Sequence, residues 1–268
     1  MFIGVYLTQL VSPLAIAWPG RVSLPASQKG CNALPKRGRT RDRKVPVMTT
    51  APSPGTGRLA LTDDVLAEAL DTALQLAWEG LTAQTTPVGA VVVTEAGEVV
   101  AAGRGRRYEP SGPAGQLAGT SIAHAEVNAL AQLPSARRWQ DFYLLTTLEP
   151  CGMCHGAAIQ SRVAGIYFAG RDPYGGTASL RFENPQALRQ ELLIDGPLPG
   201  TRGALAEIMH VTFLMNRDSA AHVIRAHTAA MPQLTCYTRR NRDDLNDAVS
   251  CGDYQRAAAI AEGAPRDH

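Results

Sequence analysis

The triplet His124-Ala125-Glu126, with Pro150-Cys151-Gly152-Met153-Cys154 downstream of it, constrains this chain more than any other feature. The two segments offer three soft-to-borderline metal ligands, His124, Cys151 and Cys154, and one carboxylate that coordination does not need. A structural zinc site closes all four positions with Cys or His, whereas a catalytic one keeps three protein ligands and leaves the fourth for water. Glu126, two residues from the histidine, is then available to handle protons. The cysteine pair alone is also compatible with a redox couple, or with half of a structural knot whose fourth ligand is His155. A redox couple makes no demand for His124 and Glu126 upstream. His155, directly after Cys154, keeps the knot open as an alternative.

The surroundings of these residues have recognisable local patterns. Residues 141–147 are apolar and β-prone, which predicts a buried strand. Pro150 sits where a helix commonly begins, because its missing N–H is not needed there. Cys151 and Cys154 are three apart and so share one face of a first helical turn, where the helix N-terminus favours thiolates. A second helical pattern covers residues 124–133, with Ala123, Val127 and Leu130 on one stripe. Upstream, Thr62 is placed to cap a helix whose apolar positions Leu66, Ala69, Leu70, Ala73, Leu74 and Ala77 recur at helical spacing. Strands are expected at residues 87–93, 99–102, 165–169 and 192–194, and a helix at 204–220. Residues 103–120 form a long Gly- and Pro-rich loop that leads into His124, a common setting for functional loops. This alternation predicts an α/β layered domain, a sheet with helices on its faces.

Four blocks in order carry a family resemblance: Pro87-Val88-Gly89-Ala90-Val91-Val92-Val93, His124-Ala125-Glu126-Val127-Asn128-Ala129-Leu130, Thr146-Thr147-Leu148-Glu149-Pro150-Cys151-Gly152-Met153-Cys154 and Gly170-Arg171-Asp172. A His-x-Glu followed by Pro-Cys-x-x-Cys is the signature of zinc nucleobase deaminases. From about residue 61 to 215 the chain resembles the cytidine and deoxycytidylate deaminase superfamily, within it the branch of tRNA adenosine deaminases and guanine deaminases. The resemblance implies a three-layer α/β/α sandwich with a five-stranded mixed sheet, and two helix N-termini meeting at one Zn2+ per chain. It also implies a hydrolytic aminohydrolase with His124, Cys151 and Cys154 as ligands and Glu126 as proton carrier, working as a homodimer. A zinc-stabilised binding module that has lost turnover is the alternative from another class. The riboflavin-pathway deaminase shares the histidine block but spaces its cysteines more widely.

Charge bears on the substrate. Residues 1–50 hold eight basic residues and one acid, so of the 26 basic and 24 acidic residues in the chain, 18 and 23 fall in residues 51–268, a net of −5 with no lysine. Gripping a tRNA stem-loop rests on several Lys or Arg contacts to phosphate. The stretch matching the basic C-terminal helix of the tRNA enzymes contributes Arg217 alone. Arg104, Arg106 and Arg107 on the long loop are expected to form a solvated turn, with phosphate contact as the other use. In the tRNA and guanine enzymes an asparagine after the second strand hydrogen-bonds the base. The alignment of Val100-Ala101-Ala102-Gly103 puts Gly105 at that position, so base recognition is expected to differ. Asn128 is expected to face away from the base. A small-molecule nucleobase or nucleoside is the favoured substrate, with tRNA wobble adenosine as the alternative.

The ends are expected to lie outside the catalytic domain of residues 57–231. Residues 1–56 hold scattered Pro, Gly and Ser without periodicity, and read as a disordered extension with Met48 as the natural start. Residues 1–18 lack a basic start and are interrupted by Pro13, which makes a poor signal peptide and a segment too broken to span a bilayer. Cys31, Cys236 and Cys251 are expected to be free thiols. Five cysteines, two of them committed to metal, suit a reducing, cytoplasmic compartment. Residues 232–268 are a charged, loosely held tail, with a helix possible over 248–261.

Overall fold

The computed structural model describes residues 61–265 apart from 137–138, 181 and 191, so the N-terminal extension and the proposed start at Met48 lie outside the described residues. Helix α1 (Asp63–Thr82) opens on Thr62, whose hydroxyl accepts the Val65 amide at 3.4 Å. Strands β1 (Gly89–Thr94) and β2 (Val99–Arg104) form a hairpin that turns at Gly97, a residue held at φ +87°. Then come α2 (Ala125–Leu130), β3 (Phe142–Leu148), α3 (Gly152–Ser161), β4 (Gly165–Gly170), the short α4 (Pro185–Gln190) and β5 (Leu193–Asp195). The sheet order is β2-β1-β3-β4-β5. β1 runs antiparallel to both its neighbours, whereas β3, β4 and β5 are parallel.

Period-2 alternation sorts the strand residues between two helical layers. Val91, Val93, Tyr143, Leu145, Tyr167 and Ala169 pack with Leu70 and Ala73 of α1. Their neighbours Ala90, Val92, Leu144 and Ile166 pack on the other side with Ala125 and Ala129 of α2 and Ala158 of α3. The result is a three-layer α/β/α sandwich on a five-stranded mixed sheet. Two glycines allow the layers to close. A Cβ on Gly89 would stand 1.9 Å from the Ala73 carbonyl oxygen, and one on Gly103 would stand 2.5 Å from the Ala129 nitrogen.

The C-terminal third departs from expectation. The single helix expected over 204–220 is α5 (Thr201–Met215) followed by a 3-10 turn at Asp218–Ala220. Arg217 is extended between them, at φ −129° and ψ 117°. At the break the Asn216 side-chain amide donates to Asn246 (2.7 Å) and accepts from Arg242 (3.0 Å), both on the later helix Arg242–Cys251. Helix α6 (Ala221–Ala230) follows. Residues 232–265, expected to be loosely held, instead contain α7 (Pro232–Arg240), α8 (Arg242–Cys251) and α9 (Tyr254–Glu262). Leu234, Leu245, Ala248, Ala257 and Ala261 are buried there against α5 and the C-terminal half of α1. The helix anticipated over 248–261 is split by Gly252, at φ +70°, and restarted by Asp253, whose carboxylate accepts the Arg256 amide at 3.0 Å. Polar surface residues concealed a small-residue inner stripe, because Ala248, Ala257 and Ala261 give a weak hydrophobic signal. Among the described residues no helix is long and apolar enough to cross a membrane.

Candidate metal centre and active site

The site lies at the carboxyl ends of the parallel strands, where α/β folds keep their crevices. β3 ends at Leu148 and delivers Cys151, which caps α3 with extended backbone (φ −75°, ψ 169°), while Cys154 follows one turn in. His124 caps α2 in the same extended geometry (φ −83°, ψ 154°). Two helix starts therefore converge on one point. His124 Nδ1 stands 3.7 Å from Cys151 Sγ and 3.5 Å from Cys154 Sγ, and the sulfurs are 3.5 Å apart. A tetrahedral ion with Zn–S near 2.3 Å and Zn–N near 2.0 Å would set these donors about 3.5–3.8 Å apart. The donor set therefore fits Zn2+ in both chemistry and spacing. His155 is not in the cluster: its buried ring packs edge-on to Phe182, with centroids 4.6 Å apart. Among the described residues, no fourth protein donor joins the three.

Glu126 is buried beside this triad, 3 % exposed. Its carboxylate accepts the Thr146 hydroxyl at 3.3 Å and the Cys154 thiol at 3.3 Å. Burial pushes its pKa above the usual carboxylate range. The cysteines split in opposite directions. Its hydrogen bond with Cys154, reinforced by His124, holds Cys151 down to about 4. The same sulfur contact, burial and the Glu126 charge push Cys154 up. His124 is raised chiefly by its hydrogen bond with Cys151. In the metal-free triad only Cys151 is held in the thiolate form that a cation takes; the raised His124 and Cys154 must each give up a proton when an ion binds.

A cavity of about 550 Å³ opens over the triad, with His124, Glu126 and Cys151 on one wall and Phe213 and Leu214 of α5 on another. At its rim the Arg217 guanidinium lies 3.8 Å from the centre of the Tyr108 ring. Gly105 is in the wall, where its amide donates to the Val88 carbonyl at 2.9 Å. A Cβ there would meet the Thr86 carbonyl oxygen at 2.4 Å, so position 105 presents backbone alone. The expected solvated arginine turn is in part a buried ion-pair network. Arg104 and Arg106 both pair with Glu109, and Arg104 also reaches Glu79 at 3.5 Å. Only Arg107 of the three lines the cavity.

Three further residues matter, and the sequence assigned them no role. Asn128 does face away from the cavity, but it anchors the long loop: its Oδ1 accepts the Leu117 amide (2.7 Å), and its Nδ2 donates to the carbonyls of Arg104 (3.0 Å) and Leu117 (3.1 Å). Glu149, just before the cysteine helix, accepts the amides of Asp172 (3.3 Å) and Ala178 (3.0 Å) and ties the loop after β4 to the metal centre. Asp172 accepts the amides of Tyr174 and Gly175, both at 3.0 Å, and lines the cavity. Glu149 and Asp172 both sit inside the resemblance blocks, which was the available signal. Asn128 had none, since its partners are backbone atoms of a loop.

Several known proteins are similar to this chain. The model of the cytidine and deoxycytidylate deaminase zinc-binding region matches residues 64–170. The tRNA-specific adenosine deaminase of Haemophilus influenzae is 33% identical over 140 residues, 50% of this chain and 73% of that protein. The tRNA(Ile)-lysidine synthase of Deinococcus radiodurans is 36% identical over 121 residues, 44% of this chain. The matching stretch spans only 19% of that synthase. A solved structure from work on A-to-I editing by tRNA:A34 deaminases is 28% identical, covering 45% of this chain and 91% of that one, with a TM-score of 0.38.

Proposed function

The chain belongs to the cytidine and deoxycytidylate deaminase superfamily, in its nucleoside deaminase branch, and from that premise we propose that it is a zinc-dependent aminohydrolase. It replaces the exocyclic amino group of an amino-heterocycle with a carbonyl and releases ammonia. The observation that carries this reading is the convergence of three donors at 3.5–3.7 Å with a buried carboxylate in contact with one of them. His124, Cys151 and Cys154 would hold Zn2+, which supplies the charge that ionises water near neutral pH. Glu126 takes the proton of the attacking water, passes one to a ring nitrogen and then protonates the leaving amine. Its raised pKa suits a group that must act as base and acid in one cycle. Thr146 holds one of its oxygens, so the other stays oriented toward the metal ligands.

A small-molecule nucleobase or nucleoside is the substrate class favoured here. The cavity of about 550 Å³ falls within the range of about 300–1,000 Å³ typical of ligand pockets. Arg104 and Arg106 are balanced together by Glu109 and Glu79, which leaves little free positive charge for a phosphate track. Gly105 stands where relatives use an asparagine, and with its amide already given to the Val88 carbonyl it offers a base edge no side chain and no free N–H. The same reading takes the protein as a cytoplasmic homodimer. Zinc-loaded protein should release ammonia from at least one of guanine, adenine, cytosine, adenosine or cytidine. Silence across that panel counts against the small-molecule assignment.

A second reading, tRNA wobble adenosine deamination, is favoured by the name of the Haemophilus relative and by Arg107 and Arg217 at the cavity. Arg217 over Tyr108 is a platform on which a base or backbone could rest. Inosine formed in an anticodon stem-loop transcript, with no release from free bases, decides for it.

A further inference from the structure

Opposite the cysteine triad, Asp172, His210 and His227 come together from three separate elements: the loop after β4, the later part of α5, and α6. One donor atom from each lies within 4.8 Å of the other two, and His227 Nε2 is 3.5 Å from Asp172 Oδ1. His227 is fully buried and His210 is 7 % exposed. The Nδ1 atoms of His210 and His227 are buried without a hydrogen-bond partner, while His227 Nε2 faces the Asp172 carboxylate. Leaving such a group unsatisfied costs about 1–3 kcal/mol each, so two in one spot beside a buried carboxylate mark a place built to hold something. The carboxylate is already oriented, because Asp172 Oδ1 accepts two backbone amides, the outer support that ligating carboxylates usually have.

We propose that Asp172, His210 and His227 form a second metal site, for a divalent transition ion such as Zn2+, separate from the cysteine site and with a different donor set. Two imidazoles and one carboxylate are a recurrent ligand set for Zn2+ and Fe2+. An ion about 2.1 Å from each donor sets them about 3.0–3.5 Å apart. The His227–Asp172 edge already meets that spacing, and every edge is within 4.8 Å, so the widest closes by at most about 1.3–1.8 Å to reach it. The ion would satisfy one nitrogen of each ring. It would also tie α5 and α6 to the loop that Glu149 clamps to the cysteine helix. Asp172 and His210 line the cavity that His124 and Cys151 line, so the second ion would border the same space.

Cobalt titration of the metal-stripped full chain tests this, because only the cysteine site gives a sulfur-to-cobalt charge-transfer band. The expected result is two equivalents of Co2+ bound per chain, one with the band and one without. His227→Gln should lower binding to one equivalent and retain the band in full. A wild-type chain that stops at one equivalent, or a second equivalent that survives His227→Gln, overturns the proposal. Circular dichroism checks the variant's fold, and His210→Gln serves by the same criterion if the first variant does not fold. The outcome is independent of turnover: loss of the band with the second equivalent intact would instead count against the cysteine site.

Discussion

At the scale of single residues the site is a contest over protons. Glu126 is buried, hydrogen-bonded and adjacent to a metal donor, and nothing about it suggests a ligand. Glu126→Gln keeps its shape and removes its basicity. Ammonia release should fall by about 10²–10⁴-fold, the usual weight of a positioned acid–base group, while zinc content measured by mass spectrometry stays unchanged. His210 gives a pH prediction. Burial lowers its pKa to about 4, below the ordinary histidine value near 6.5. The folded chain therefore prefers the neutral ring. The associated stability is complete above about pH 6.5 and is lost as pH falls toward 4, on the order of 3 kcal/mol in metal-free protein. Urea unfolding from pH 7 to 4 should show that slope, and it should flatten in His210→Gln. His124, Glu126 and the two cysteines are legible in the sequence, because metal chemistry demands specific side chains at fixed spacing. Asp172 is legible as part of a block and silent as to purpose, since its partners come from α5 and α6.

At the scale of elements, two short contacts decide whether the site assembles. β2 and α2 touch through Gly103, where a Cβ would strike the Ala129 nitrogen at 2.5 Å and the Ala125 carbonyl oxygen at 2.6 Å. Gly103→Ala should displace α2, lowering stability by about 1–3 kcal/mol. Zinc affinity should weaken with it, because α2 begins at His124; competitive chelation measures that. The other contact is Asn128 with the loop. Asn128→Ala removes three hydrogen bonds and should cost about 1–3 kcal/mol. Its KM should rise more than its kcat falls, because the loop supplies Gly105, Arg107 and Tyr108 to the cavity and none of the protons. Strand periodicity and the Thr62 cap exposed the elements themselves. The break at Arg217 is not visible in the sequence, which remains compatible with helix there, and the partners that Asn216 meets at the break, Asn246 and Arg242, come from α8.

At the scale of the whole molecule the deaminase core is backed by a helical layer that the sequence presented as a tail. α5 faces the cavity through His210, Phe213 and Leu214 and, with α1, packs against Leu234, Leu245 and Ala257. Leu245→Ala should therefore lower stability by about 2–5 kcal/mol, seen as a fall in Tm, although its side chain is no part of the cavity lining. Stripping the metal should lower Tm as well, because binding free energy at such a site is also folding free energy; an unchanged Tm after chelation would contradict the assigned ligands. By itself, the amino-acid sequence determined the layered α/β class and the candidate metal donors that the fold brings together. Both are written in local spacing: period two for strands, about three and a half for helices, three between the cysteines. The tertiary structure alone decided which arginines are neutralised, that position 105 has no room for a side chain, and that two buried histidines meet an aspartate. Those outcomes depend on atoms brought together from distant parts of the chain, and no local pattern encodes the distance between them.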